Sequence, residues 1–242
     1  MRHARSTVPA ILRRLLAALV LLSLAVAWAQ VPAGDRLVDE GRFEEAIAAY
    51  TRAIDADDTD AVAYQRRARA RVYRADALDE DRDDARQELY DLAIADAERA
   101  LDLAPDDPDS HFELARALGR AAQYRGILAS LNYAARVDEA LNLVLEREPD
   151  HASAWHAWAL YNHEVPWIAG GRSGRVEPAF ERAIELEPDV ITHRLEYARV
   201  LLSRDRVERA REQLEVAVSL QPATYLDRQD LEAARELLAE VP

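Results

Sequence analysis

The chain has no cysteine. That absence excludes disulfide staples, thiolate-bound zinc, thiol catalysis and a lipid-modified cysteine anchor. It has no lysine, so every one of its 31 basic residues is arginine. Only 7 glycines and 3 phenylalanines occur among 242 residues. The β-branched and aromatic residues that favour strands are sparse. Positive charge is short as well: 45 acidic residues leave a formal net charge of -14, which opposes sequence-blind binding to a nucleic-acid backbone.

What remains is half hydrophobic and dominated by Ala, Leu, Glu, Asp and Arg. Ala, Leu, Arg and Glu are strong helix formers, so packed helices are expected. The length suits one elongated repeat domain or one globular domain.

Residues 1–29 read as a secretory signal peptide. Arg2, Arg5, Arg13 and Arg14 make a positive start, and Leu15 to Val26 is an apolar run broken only by Ser23. Ala27-Trp28-Ala29 supplies the small residues, two apart, that signal peptidase reads. The run is shorter than the roughly 20 residues a spanning helix needs. An uncleaved N-terminal membrane anchor is the alternative. Cleavage after Ala29 leaves a charge of -18 and places the rest of the chain across the membrane, in the periplasm or outside the cell.

Similar stretches then recur. AIAAYTRAIDADD (46–58), AIADAERALDLAPD (93–106), ARVDEALNLVLEREPD (135–150), AFERAIELEPD (179–189) and AREQLEVAVSLQP (210–222) each read as a helix closed by an acidic or proline turn. Each of the last four is followed by a proline just past its end: Pro105, Pro149, Pro188 and Pro222. A partner helix precedes each of the last four: 61–73, 109–120, 151–162 and 191–202. Ala68, Ala115, Ala159 and Ala198 stand where two helices would cross closely, and a bulky side chain there would separate them.

These paired helices resemble the tetratricopeptide repeat (TPR), a helix–turn–helix of about 34 residues. The last unit fits best. Pro188 to Pro222 is 34 residues, and Tyr197-Ala198, Leu201, Ala210, Leu214 and Ala217 fall at signature positions. Longer spacings of 39, 44 and 47 residues between earlier turns imply insertions that lengthen helices or add loops. The resemblance implies an all-α, right-handed superhelical solenoid over residues 30–222, with residues 223–242 as a C-terminal capping helix. Asp227 or Asp230 would accept backbone N–H bonds at that helix's start. Two segments, ALGRAAQYRG and EVPWIAGG, are further similar to exported TPR proteins that accompany TRAP-type periplasmic transporters. They are similar too to the TPR family named for regulators of microtubule dynamics.

The irregular stretches carry no catalytic signature. The acidic run 76–91 lacks a D-x-D-x-D-G calcium loop. The Gly-rich segment Val165 to Arg175 is neither a phosphate loop nor a nucleophile elbow. Trp167 and Ile168 are expected to tuck that segment against the body. Leu128 and Leu131, with Trp167, would line any pocket for a small ligand. His156 and His163 lie seven apart, without H-E-x-x-H or a third ligand. Trp155 and Trp158 read as packing residues. The chain is read as non-enzymatic, without metal or cofactor.

In the TPR family, first helices line a concave groove that holds a partner. The resemblance places Gln65, Arg69, Tyr73, Phe112, Arg116, Arg120, His156, His163, Leu195 and Arg199 on it. Such an Arg- and aromatic-rich stripe favours an acidic or carboxylate-bearing protein or peptide. The expected function is an exported scaffold or adaptor. The alternative is an accessory of a periplasmic transport system that holds a small solute between its helices.

Overall fold

The computed structural model describes residues 30–79, 81–124 and 127–241. The signal-like segment 1–29 and the side chain of Leu128 lie outside the described residues. Those residues form eleven α-helices and no strand. Helix α1 covers residues 30–39. It is followed by α2 (Phe43–Ala56), α3 (Ala61–Asp76), α4 (Asp83–Leu103), α5 (Pro108–Ala122) and α6 (Ile127–Arg147). Then come α7 (Ala152–Glu164), α8 (Val176–Leu186), α9 (Ile191–Leu202), α10 (Val207–Ser219) and α11 (Tyr225–Glu240). Consecutive helices pair antiparallel, so α1/α2 through α9/α10 are five helix–turn–helix units. None of the described helices is long and apolar enough to cross a membrane.

The two helices of a unit start differently. Three of the first helices use a side-chain cap. Asp60 accepts from the Ala63 N–H, Asp107 from the Ser110 N–H ahead of Pro108, and the His151 ring from the Ala154 N–H. These bonds satisfy donors that the helix cannot. The second helices α2, α4, α8 and α10 follow Arg42, Arg82, Arg175 and Arg206 and lack a side-chain cap. They carry Glu44 and Glu45, Asp83 and Asp84, Glu177 and Glu208 in the first turn instead, where negative charge meets the positive end of the helix dipole. Helix α11 closes the series with a reciprocal box. Thr224 accepts from the Asp227 N–H, and Asp227 accepts from the Ala223 and Thr224 N–H groups.

The alanine seam is buried as its pattern requires. Ala68, Ala93, Ala97, Ala100, Ala159 and Ala198 are fully buried and Ala115 nearly so. One apolar core runs from Ala68 to Val241, with smaller clusters around Tyr50 and Ala53 at the first unit. Ion pairs between the two helices of a unit add to it. Asp96 on α4 is 4% exposed and receives Arg67 at 2.7 Å and Arg71 at 2.5 Å from α3.

The sequence insertions resolve into two kinds. Helices α4 and α6 are each 21 residues, about 30 Å, so two of the long spacings become extra helical turns. The acidic run 76–91 therefore contributes the end of α3, a turn and the first half of α4. The third insertion, 165–175, is a loop holding two short 3-10 turns, Trp167–Ala169 and Ser173–Arg175.

First helices of neighbouring units pack on one another: α3 on α5, α5 on α7, and α9 on α11. Among the described residues the second helices make no comparable contacts with one another. Inner helices that touch while outer helices splay give a curved stack whose concave wall is α1, α3, α5, α7, α9 and α11. The curve closes on itself. The Tyr225 ring at the start of α11 lies 5.9 Å from Phe43 at the start of α2, edge to face, and Phe43 lies 5.9 Å from Tyr73. A Cβ placed on Gly41 would stand 2.4 Å from the same Tyr225 ring, and Gly41 has φ +80°. The last helix is thus clasped to the first turn.

Candidate functional site

The concave wall is built from ion pairs rather than from bare arginines. Arg69 reaches Glu113 at 3.1 Å, and Arg116 reaches the other oxygen of Glu113 at 3.0 Å. Arg120 donates twice to Asp76, at 2.8 and 3.0 Å, while the Tyr90 hydroxyl donates to the same oxygen. Arg199 pairs with Glu196 on α9. The stripe expected to be basic is internally compensated, because Asp76, Glu113 and Glu196 stand among the arginines.

Arg116 is the centre of this arrangement. Its guanidinium lies 4.7 Å over the Phe112 ring and 5.6 Å over the Tyr73 ring, and it donates to the Tyr73 hydroxyl at 3.3 Å. Such stacking suits a planar delocalised cation. Burial disfavours its charge, but Glu113, Tyr73 and Asp76 outweigh that and raise its pKa. Burial likewise opposes the charge of Arg120, and Asp76 outweighs it.

The far wall carries the opposite tendency. Burial raises the Glu196 carboxyl above its ordinary range, against the pull of Arg199 and of Arg120 across the groove. Burial also raises Asp230 on α11, where the Thr192 hydroxyl donates to it and holds part of its charge. Where α7 meets α9, the His156 and His193 rings approach with their Nδ1 atoms 3.1 Å apart. Burial, then His193, then Arg116 push His156 down to about 3, and burial lowers His193 too.

The expected groove residues divide. Tyr73, Arg69, Arg116, Arg120, His156 and Arg199 share the concave wall. Gln65 is 4% exposed, and its amide donates to Asp107 and Ser110, so it ties α3 to the cap of α5. Phe112 is buried beneath Arg116 and packs on the His151 ring. Leu195 is 1% exposed and belongs to the core, because the apolar side of α9 turns toward α10 and α11. His163 sits at the far end of α7, in the field of Arg204 and Glu164, and burial lowers its pKa. It does not join His156. Sequence reasoning left out Glu113, Glu196, Asp76, His193, Phe43 and Tyr225. Glu113 and Glu196 carried a readable signal, each lying three residues before an expected arginine.

The loop expected to tuck against the body does not. Trp167 and Ile168 are 84% and 77% exposed, and Leu131 is 46% exposed, so these residues enclose no pocket. The loop backbone is fixed from below and turns the pair outward. Buried Asn162 accepts from the Arg172 N–H at 2.9 Å, and the Gly171 N–H donates to Pro166. No group of three or more His, Asp or Glu among the described residues has a metal-binding arrangement.

Comparison with known structures places the architecture. A thermophilic TPR protein of Thermus thermophilus superposes with a TM-score of 0.69 at 18% identity, over 87% of this chain and 99% of that one. A PilF protein of Pseudomonas aeruginosa gives 0.52 at 14% identity, over 89% and 91% of the two chains. A MamA fragment of Desulfovibrio magneticus gives 0.51 at 16% identity, over 80% and 94%. These likenesses show the fold. No curated protein matches the chain. Residues 169–223 match the tetratricopeptide repeat, and residues 31–168 match the family described as regulator of microtubule dynamics protein 1-3. The chain is a TPR protein, and it belongs to the regulator of microtubule dynamics protein 1-3 family.

Proposed function

We propose that the chain is an interaction scaffold that holds a protein or peptide segment along its concave wall. The observation that carries this reading is the convergence of Tyr73, Arg116, Arg120, His156 and Arg199, from four successive first helices, on one continuous face. Carboxylates of the guest would compete with Asp76, Glu113 and Glu196 for these arginines. A charged pair that is already formed makes exchange selective, because a poorly fitted guest leaves a desolvated charge unpaired. The reading assigns no chemical step to the face. It takes residues 30–222 as the repeat domain and residues 223–242 as its cap.

Arg120 and Arg199 are the exposed members and the ones to change. Affinity capture with Arg120→Ala/Arg199→Ala, compared with wild type by quantitative mass spectrometry, should lose the guest at a weakening of roughly tenfold or more. The variant should keep its helical circular dichroism. A convex-face control, Glu98→Ala, should retain the guest. Equal capture by all three proteins would reject the concave wall as the site.

We also propose that the protein is exported, with residues 1–29 removed. The charged start, the short apolar run and the Ala27-Trp28-Ala29 site support this. N-terminal sequencing of the protein from a fractionated cell should begin at Gln30 in the periplasmic or secreted fraction. A retained Met1 in the membrane fraction would point to an anchor instead.

A further inference from the structure

Helix α7 ends in two features of opposite character. At its C-terminal end, the 165–175 loop holds Trp167 and Ile168 out in solvent. Side chains this apolar, on a backbone pinned at Asn162 and Gly171, represent exposed area that a partner would bury. Gly171 admits no other residue, since a Cβ there would stand 1.7 Å from the Val165 carbonyl oxygen. The same loop carries Arg172 and Arg175. Both are exposed, and neither pairs with a carboxylate among the described residues.

At its N-terminal end, α7 starts in an open cavity of about 470 Å³ lined by Glu148, Pro149, Asp150, His151, Ser153 and Glu187. The lining holds three carboxylates, of which Asp150 already pairs with Arg182 and Glu187 lies 3.4 Å from the His193 ring, while Pro149 and Ala152 supply apolar surface. The 13 residues of α7 separate loop and cavity by about 20 Å along one axis. They therefore lie on opposite edges of the same unit. An apolar tip with a basic collar at one edge and an acidic cavity at the other are complementary under translation along α7.

We infer that the Trp167–Ile168 tip of one copy seats in the acidic cavity at the start of α7 of a second copy, with Arg172 and Arg175 meeting Glu148 and Glu187. A buried tryptophan in a pocket, ringed by charge pairs, is the usual anchor of such a contact. The overall negative charge opposes it only weakly, because distant charges are screened beyond about 8 Å at physiological salt. The contact joins two different surfaces, so each docking leaves one free tip and one free cavity. Association is then head-to-tail and does not stop at a symmetric dimer. Glu187 lies 3.4 Å from His193 of the concave wall, so the two readings are separated by the Trp167/Ile168 change, which leaves that wall untouched.

The test is sedimentation velocity over a hundredfold concentration range, on protein purified from cells expressing the whole chain. Wild type should form a graded series of species that shrinks at high salt. Trp167→Ser/Ile168→Ser should weaken self-association by roughly tenfold or more. Arg172→Glu/Arg175→Glu should do the same, and so should Glu148→Arg/Glu187→Arg. A chain carrying both charge reversals should associate again, which a folding defect would not produce. A monomer throughout, a sharp dimer indifferent to these changes, or no rescue by the double reversal would overturn the inference. So would a monomer that floats with anionic vesicles through Trp167, since that outcome gives the tip to a membrane.

Discussion

Asp96 shows what a single residue does in this scaffold. Its carboxylate is enclosed between α3 and α4 and receives Arg67 and Arg71 together. Burial lowers the Arg71 pKa, and the Coulomb attraction of Asp96 opposes that shift. Removing the acid leaves two desolvated cations facing each other. Asp96→Ala should therefore lose about 3–5 kcal/mol of unfolding free energy in urea titrations, well beyond an ordinary surface change. His156 makes a second prediction, of pH dependence. Its folded pKa of about 3 lies below the 6.5 of an unfolded histidine, so the unfolded chain binds the proton first. Stability from this group is complete above pH 6.5 and falls as pH drops toward 3, by up to about 1.4 kcal/mol per pH unit. His193 is lowered as well and acts in the same direction. Carboxylates titrate in the same window, so the measurement is a difference. His156→Gln should flatten the stability profile relative to wild type between pH 6.5 and 4, and parallel profiles would remove the histidine pair as the cause.

At the scale of helices, the capping box of α11 offers a clean cut. Thr224→Ala removes the acceptor for the Asp227 N–H and should cost about 1 kcal/mol. Hydrogen exchange should quicken first in α11, the terminal helix, and leave α5 and α6 protected. The same scale separates what the sequence could disclose from what it could not. The alanine seam, the prolines past α4, α6, α8 and α10, and the helix pairs were legible because they are local and periodic. A crossing of two helices demands small residues, and a proline cannot continue a helix. Whether an insertion lengthens a helix or bulges as a loop was not legible, since the acidic start of α4 has no apolar stripe of its own. The loop at 165–175 was misjudged because Trp167 and Ile168 look like core residues by type. Their outward position is set by a backbone bond to Asn162 and by the close approach of Gly171 to Val165. The concave site was half legible. The arginines were visible, but Asp76 meets Arg120 only after 44 residues of folding, and nothing local announces that pairing.

The whole molecule differs from an open solenoid in one respect, the clasp between its two ends. In an open stack each unit meets only its neighbours, and stability is a sum of units and interfaces. Here Tyr225 reaches across to Gly41 and Phe43, so the terminal elements share a contact although 182 residues separate Phe43 from Tyr225. An aromatic pair of this geometry contributes about 0.5–1.5 kcal/mol beyond area burial. That is small against the whole fold, yet it acts on the softest motion a curved stack has, the spreading of its ends. Tyr225→Ala should thus open the superhelix with little loss of helix. The radius of gyration from small-angle scattering should rise while circular dichroism stays constant. Exchange should quicken in α1 and α2, far from the changed residue in sequence, and hold steady in α7. Gly41→Ala attacks the same contact from the other side, by driving a methyl into the Tyr225 ring at a left-handed backbone position, and should spread the ends likewise. If neither variant changes the scattering curve, the ends are held by the curvature of the stacked units themselves and the aromatic contact is incidental. If both do, the concave wall is a space whose width is set at its rim, by residues that touch neither Arg116 nor Arg120.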